Sequence, residues 1–148
     1  MRRRWRNQSG FTLVELLVVI IILSLLVGIV GPRLFGHVGK SKQAAARAQI
    51  EIFGGALDAY RLDVGAYPNT SQGLMALVKN PGASNWAGPY LKKNDIPLDP
   101  WDHPYKYSCC PGSHDEYDLW SEGADGAPGG DGENADVASW ELAKKKPQ

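Results

Sequence analysis

A chain of 148 residues is long enough for one compact domain and too short for two of ordinary size. Hydrophobic residues make up 43% and charged residues 22%, a balance that fits a globular protein and excludes bulk disorder. Sixteen Lys and Arg offset sixteen Asp and Glu, which argues against general nucleic-acid binding. The two cysteines are neighbours, Cys109 and Cys110, and can build neither a disulfide framework nor a four-ligand zinc site.

The charge is segregated along the chain. Arg2, Arg3, Arg4 and Arg6 precede the first apolar run, so twelve basic residues face sixteen acidic ones from Phe11 onward, a net charge of −4. Phe11–Gly31 then runs for twenty-one residues to Pro32, with Thr12, Glu15 and Ser24 as its polar positions. About 20 helical residues cross a hydrocarbon core, and arginines on the N-terminal side keep that end in the cytoplasm. Hydropathy by itself also suits a plain signal anchor or a cleavable secretory signal. Two details oppose this. No polar region with an A-x-A-like exit follows the run, and Glu15 places an acid where a charge costs about 3 kcal/mol to insert.

The junction Ser9-Gly10-Phe11-Thr12-Leu13-Val14-Glu15-Leu16-Leu17-Val18-Val19 resembles the cleavage and methylation motif of type IV pilins and pseudopilins. The resemblance implies that a prepilin peptidase cuts after Gly10, that Phe11 becomes the N-methylated first residue, and that Glu15 is the fifth mature position. Cleavage there removes the arginines and keeps the anchor, the reverse of ordinary signal processing. A buried acid needs a cationic partner or must stay neutral. In the family that partner is thought to be the free N-terminal amine of a neighbouring subunit, which makes Glu15 an assembly residue.

Helix is predicted from about Thr12 to about Leu62, roughly 75 Å at 1.5 Å per residue. Pro32 is expected to kink it, and Gly28, Gly31 and Gly36 to loosen it. Lys40, Lys42 and Arg47 mark its emergence from lipid. Ile50, Phe53, Leu57, Tyr60 and Val64 then recur at spacings of three or four and form an apolar stripe for core packing, leaving Asp58, Arg61 and Asp63 to water.

After Gly65, the stretch Ala66–Val78 resembles the segment that follows the long helix in major pseudopilins. Asn69 with Gln72 forms a capping box for a short helix that buries Leu74, Leu77 and Val78. Residues 79–99 hold Pro81, Pro89 and Pro97 and predict an ordered loop with a short strand at Gly88–Lys92. Asp99-Pro100-Trp101-Asp102-His103-Pro104-Tyr105-Lys106-Tyr107 is similar to the same family's proline–tryptophan turn before the first strand. Alternation predicts a strand at Tyr105–Tyr107; Tyr117–Ser121 reads as a second across the turn Pro111–Glu116, and Val137–Leu142 as a candidate third.

Glu122–Asp136 packs oxygen donors among glycines with no His or Cys. Such donors suit Ca²⁺, which takes about six to eight oxygens, although the spacing is not that of an EF-hand. Composition by itself favours a solvated acidic loop. Major pseudopilins carry a calcium site after a Gly-Ala-Asp-Gly turn, here Gly123-Ala124-Asp125-Gly126. The resemblance therefore implies one Ca²⁺ held by Asp125, Asp131 and Asp136 with the backbone carbonyls of Glu122 and Ala127, and with Glu133 and Asn134 in reserve. Glu122 departs from the family, which commonly has leucine there. Cys109-Cys110 is also unusual, either as two reduced thiols or as a vicinal disulfide. His103 and His114 read as surface turn residues, and Trp86, Trp101, Trp120 and Trp140 as core rather than a sugar platform.

The chain thus resembles the major pseudopilins of type II secretion, the general secretion pathway protein G family. That implies an α+β, pilin-like fold with a long N-terminal helix, transmembrane in one half and amphipathic in the other, on a small antiparallel sheet. It divides the chain into a leader (1–10), a polymerisation helix (11–31), the amphipathic half (32–64), a periplasmic domain (65–142) and a tail (143–148). The implied role is structural, with no catalysis: a subunit that polymerises with itself and exports folded proteins across the outer membrane. Its implied partners are minor pseudopilins, an inner-membrane secretion platform and the prepilin peptidase/methyltransferase. It would cross the bacterial inner membrane once, with its C-terminal domain in the periplasm. The alternatives are a type IV pilin, which commonly staples its C-terminal region with two well-separated cysteines, and a membrane-anchored periplasmic enzyme or sugar-binding module.

Overall fold

The computed structural model describes residues 11–144, which divide in sequence between Val38 and Gly39 into two compact units. Gly10 and the leader arginines lie outside the described residues. Helix α1 spans Leu13–Val64. Its start is capped by Thr12, whose Oγ1 accepts the amide of Glu15 at 3.2 Å. In the first unit the Ser24 hydroxyl donates to the Ile20 carbonyl at 2.8 Å, so its polarity is absorbed inside the helix. The large apolar side chains from Leu13 to Val27 are 45–80% exposed, so this stretch has no core of its own. Among the described residues no helix is long and apolar enough to cross a membrane. The described side chains of the Phe11–Gly31 run end at Gly28. The helical backbone continues through Pro32 without a break.

In the second unit the predicted stripe is the core. Ile50, Phe53, Leu57 and Tyr60 are buried with Ala46 and Ala56, while Val64 is half-buried. They pack against Leu74, Ala76, Leu77, Tyr105, Leu119 and Val137, and Phe53 meets Tyr105 edge-on with ring centroids 5.1 Å apart. Burying each such large side chain contributes about 1.5–3 kcal/mol. Gly65, at φ 94°, ends α1 in the left-handed region and donates its amide to the Arg61 carbonyl at 2.8 Å. The polar positions expected to face water do so while bonded: Arg61 meets Glu116 at 2.6 Å, and the Tyr67 and Tyr90 hydroxyls donate to Asp58 and Asp63 at 2.9 Å.

The Asn69–Gln72 box forms, with Gln72 N donating to Asn69 Oδ1 at 2.9 Å and Asn69 N to Gln72 Oε1 at 2.8 Å. It encloses a turn, and a short 3-10 helix follows at Leu74–Leu77. Leu74 and Leu77 are buried as expected; Val78 is half-buried. Three antiparallel strands form one sheet in the order β1 (Lys106–Cys109), β2 (Tyr117–Ser121), β3 (Val137–Ala138). Lys106 pairs with Trp120 and Cys109 with Tyr117, while Trp120 and Ser121 pair with Ala138 and Val137. Burial pushes the Tyr117 hydroxyl up to about 12, further from ionisation than an ordinary phenol.

Three expectations are corrected. Gly88–Lys92 is loop rather than strand: Pro89 has no amide to give, and Tyr90 contributes one backbone bond, to the Leu77 carbonyl at 2.7 Å. β1 begins at Lys106 and runs on to Cys109. The third strand stops at Ala138 because the Ser139 hydroxyl accepts the Leu119 amide at 3.2 Å, the donor a longer ladder needs. Ser139–Lys144 then coils into α2.

Cys109 and Cys110 are joined as a vicinal disulfide at the end of β1. The following turn is held by Asp118, a buried β2 residue whose carboxylate accepts the amides of Ser113 at 2.7 Å and His114 at 3.1 Å and faces the His114 ring at 3.2 Å. Burial pushes that carboxyl up, but these hydrogen bonds outweigh it and hold the group below its ordinary value. A carboxyl with a depressed folded-state pKa stabilises the fold above the unfolded value near ~3.9, and that contribution is lost as pH falls through the lower folded value. Asp118→Ala should therefore cost about 1–3 kcal/mol at neutral pH. Chemical denaturation of both proteins as a function of pH checks this: the difference should persist at pH 7 and shrink below about pH 4.

Candidate functional site: the glycine-rich acidic loop

The loop that follows β2 stands on a buried polar base. Asp99, 3% exposed, accepts the amides of Trp101 at 3.0 Å and His103 at 2.8 Å through Oδ1. Its Oδ2 accepts the Ser121 hydroxyl at 2.5 Å, and Ser121 Oγ in turn accepts the Gly123 amide at 3.3 Å. His103 Nδ1 lies 3.1 Å from the Gly123 carbonyl, a contact in which the ring donates. The proline–tryptophan turn is thus the footing of the Gly-Ala-Asp-Gly turn. His103 is a half-buried structural partner there rather than a free surface residue.

Two glycines let the loop close on itself. Gly123 and Gly130 sit at φ 67° and 85°, and a Cβ on either would lie 2.7 Å from the Asn134 carbonyl oxygen. A side chain at either position would meet both left-handed strain and a backbone collision. The Ala124 amide donates to the Glu133 carbonyl at 3.0 Å, tying the loop's two limbs together.

The sequence-predicted donors are distributed unevenly over this frame. Asp125 is exposed and accepts the Ala127 amide at 3.2 Å, which forms a local turn. Asp131 and Glu133 are exposed, and Asn134 donates its amide to the Asp131 carbonyl at 3.1 Å. Asp136 is half-buried: Oδ2 accepts the Gly129 amide at 3.0 Å, whereas Oδ1 is buried with no hydrogen-bond partner. Glu122 turns its carboxylate to Lys106 at 3.7 Å, which leaves its backbone as its contribution to the loop. Among the described residues no three His, Cys, Asp or Glu side chains gather at one metal-sized point.

The donor chemistry nevertheless fits a hard cation. An orphaned, buried carboxylate oxygen costs free energy until something satisfies it. Asp136 Oδ1 is such an atom, in a loop that supplies oxygen donors and left-handed glycines. Sequence reading missed Asp99, Ser121 and His103 as supports. The Asp99-Pro100-Trp101 run carried the available signal, since Asp at the head of such a turn accepts amides two and four residues on.

A long helix whose second half lies on a three-stranded antiparallel sheet, with a closed glycine-rich loop between β2 and β3, defines a pilin-like α+β protein of the major pseudopilin class. It is similar to the crystal structure of the major pseudopilin from the type 2 secretion system of enterohaemorrhagic Escherichia coli. That similarity has a TM-score of 0.62 and 33% identity over 75% of this chain and 96% of that one. Residues 33–140 match the family described as type II secretion system (T2SS), protein G, and residues 5–31 match the prokaryotic N-terminal methylation motif. The chain is 45% identical to type II secretion system core protein G of Pseudomonas aeruginosa, covering 92% of this chain and 97% of that one. It is 42% identical to the core protein G of Vibrio cholerae, over 95% and 97% of the two chains. The chain belongs to the type II secretion system protein G family.

Proposed function

We propose that the chain is the major structural subunit of a type II secretion pseudopilus, which polymerises with itself and moves folded proteins across the outer membrane. The observation that carries this is the helical surface from Leu13 to Val27, exposed along its length and interrupted by the acid Glu15. A contiguous apolar face of that size needs lipid before assembly and sister helices after it. Cleavage behind Gly10 would free the Phe11 amine for methylation and remove four arginines from the end that enters the bundle. The chain would then be anchored in the inner membrane by residues 11–31, with residues 65–142 in the periplasm. Minor pseudopilins, the secretion platform and the peptidase/methyltransferase would be its other partners. Its role is structural, and the energy for growth comes from outside this chain.

Calcium belongs to the same reading. Asp125, Asp131 and Asp136 with the carbonyls of Glu122 and Ala127 would hold one Ca²⁺, with Glu133 and Asn134 in reserve. The ion would supply positive charge that neutralises the acids and gives Asp136 Oδ1 its missing partner. The chain's own part is the frame: Asp99, Ser121 and His103 fix Gly123, and Gly123 and Gly130 close on Asn134.

Glu15→Leu tests the assembly role. Removing the acid lowers the insertion cost by about 3 kcal/mol, so the variant should enter the membrane at least as well as wild type. It should nonetheless assemble and secrete poorly, because an incoming N-terminal amine then has no counter-charge in an apolar bundle. Cross-linked oligomers and exported protein are the two readouts. Normal levels of both would refute the intersubunit role of Glu15.

A further inference from the structure

The acidic loop is bound to α1 as well as to itself. Gln43 Nε2 donates to the Gly132 carbonyl, 89 residues away in sequence. One turn earlier, the Glu133 side chain fills the space that a Cβ on Gly39 would occupy. Positions four apart share a helix face, so Gly39 and Gln43 form one receptor for the Gly132–Asn134 turn. That turn is also where the loop's internal ties converge: Glu133 holds Ala124, and the Asn134 carbonyl is enclosed by Gly123 and Gly130. Asp125 follows Ala124 directly, and Asp136 lies two residues beyond Asn134. A short path of bonded atoms therefore links the helix to the carboxylates at both ends of the loop.

We infer that Gln43 is a positioning residue for the calcium loop, that Gly39 provides the gap which admits it, and that metal occupancy and the order of α1 around residues 39–47 are coupled. This rests on the calcium reading above. A helix contact that favours the closed loop raises metal affinity, and by linkage the metal must strengthen the helix contact by the same factor. Gln43 is the better test residue, since it carries no charge and reaches a backbone oxygen rather than a proposed side-chain ligand.

The experiment uses the full chain in detergent micelles, titrated with calcium chloride by calorimetry and followed by hydrogen exchange with calcium or chelator. In wild type, calcium should bind, and chelation should speed exchange across residues 39–47. Gln43→Ala should weaken calcium binding about 5- to 10-fold, the effect of losing one hydrogen bond, and make exchange in 39–47 insensitive to calcium. Exchange at Phe53–Tyr60 should stay slow, showing an intact core. Gln43→Met, which keeps the length of the side chain and removes its N–H donor without adding charge, should reproduce both losses, whereas a residue that only fills space would leave both readouts at the wild-type level. Wild-type affinity in Gln43→Ala, or helix exchange indifferent to chelation in a wild type that binds calcium, would overturn the coupling. A wild type that binds no calcium would overturn the calcium reading itself.

Discussion

Gly10→Val should leave the chain in the membrane as an uncleaved precursor, ten residues longer than the mature form and with four arginines still attached. The residue before the scissile bond must let a protease approach the backbone closely, and a β-branched side chain obstructs that approach. The effect should be near complete, because the block acts on a covalent step rather than on a balance of weak contacts. It should also reach assembly. Without a new terminus at Phe11 the Glu15 of a neighbour would lack the amine proposed as its partner, and an unpaired acid in an apolar bundle is costly. Gel mobility and intact mass would report the precursor, and loss of cross-linked oligomers would report the second consequence. Normal cleavage of the variant would contradict the processing account.

Chelating calcium should produce the largest change in thermal stability. Free calcium a hundredfold above its dissociation constant stabilises a protein that binds it only when folded by about 2.7 kcal/mol. For a unit of this size that is on the order of 10 °C in melting temperature. The gain would come from two costs that the metal-free loop bears. Its left-handed glycines, Gly123, Gly126, Gly129, Gly130 and Gly132, lose much freedom on ordering, and its acids repel one another. Asp125→Ala should abolish most of the increment. Magnesium should replace calcium poorly, since its small octahedral shell gives up water reluctantly. Melting curves of the full chain with calcium, with magnesium and with chelator provide the measurement. Identical curves would return the loop to a solvated acidic segment.

The legible parts of this fold were those with a strong local period. The Ile50–Tyr60 stripe reads as a helix face because burial repeats every three or four residues, and Tyr117–Ser121 reads as a strand because it sits between turn formers. The third strand was not legible beyond Ala138, because one hydroxyl, that of Ser139, takes the Leu119 amide and decides the change to helix. The burial of Asp99 and Asp118 has no periodic signal in the sequence. They are buried because backbone amides within five residues satisfy them. In the loop, the bounds and the glycine turn could be read from composition and the family motif. The Gln43–Gly132 contact could not, since no local pattern joins positions so far apart.

Export itself is the most direct measurement of the account. Deleting this chain's gene from its host should leave folded substrates of the type II pathway in the periplasm, and a plasmid copy should return them to the medium. A plasmid copy carrying Gly10→Val should fail to do so. Undiminished export in the deletion strain, or loss of surface pili and motility with export intact, would contradict the assignment of this chain to the secretion pseudopilus.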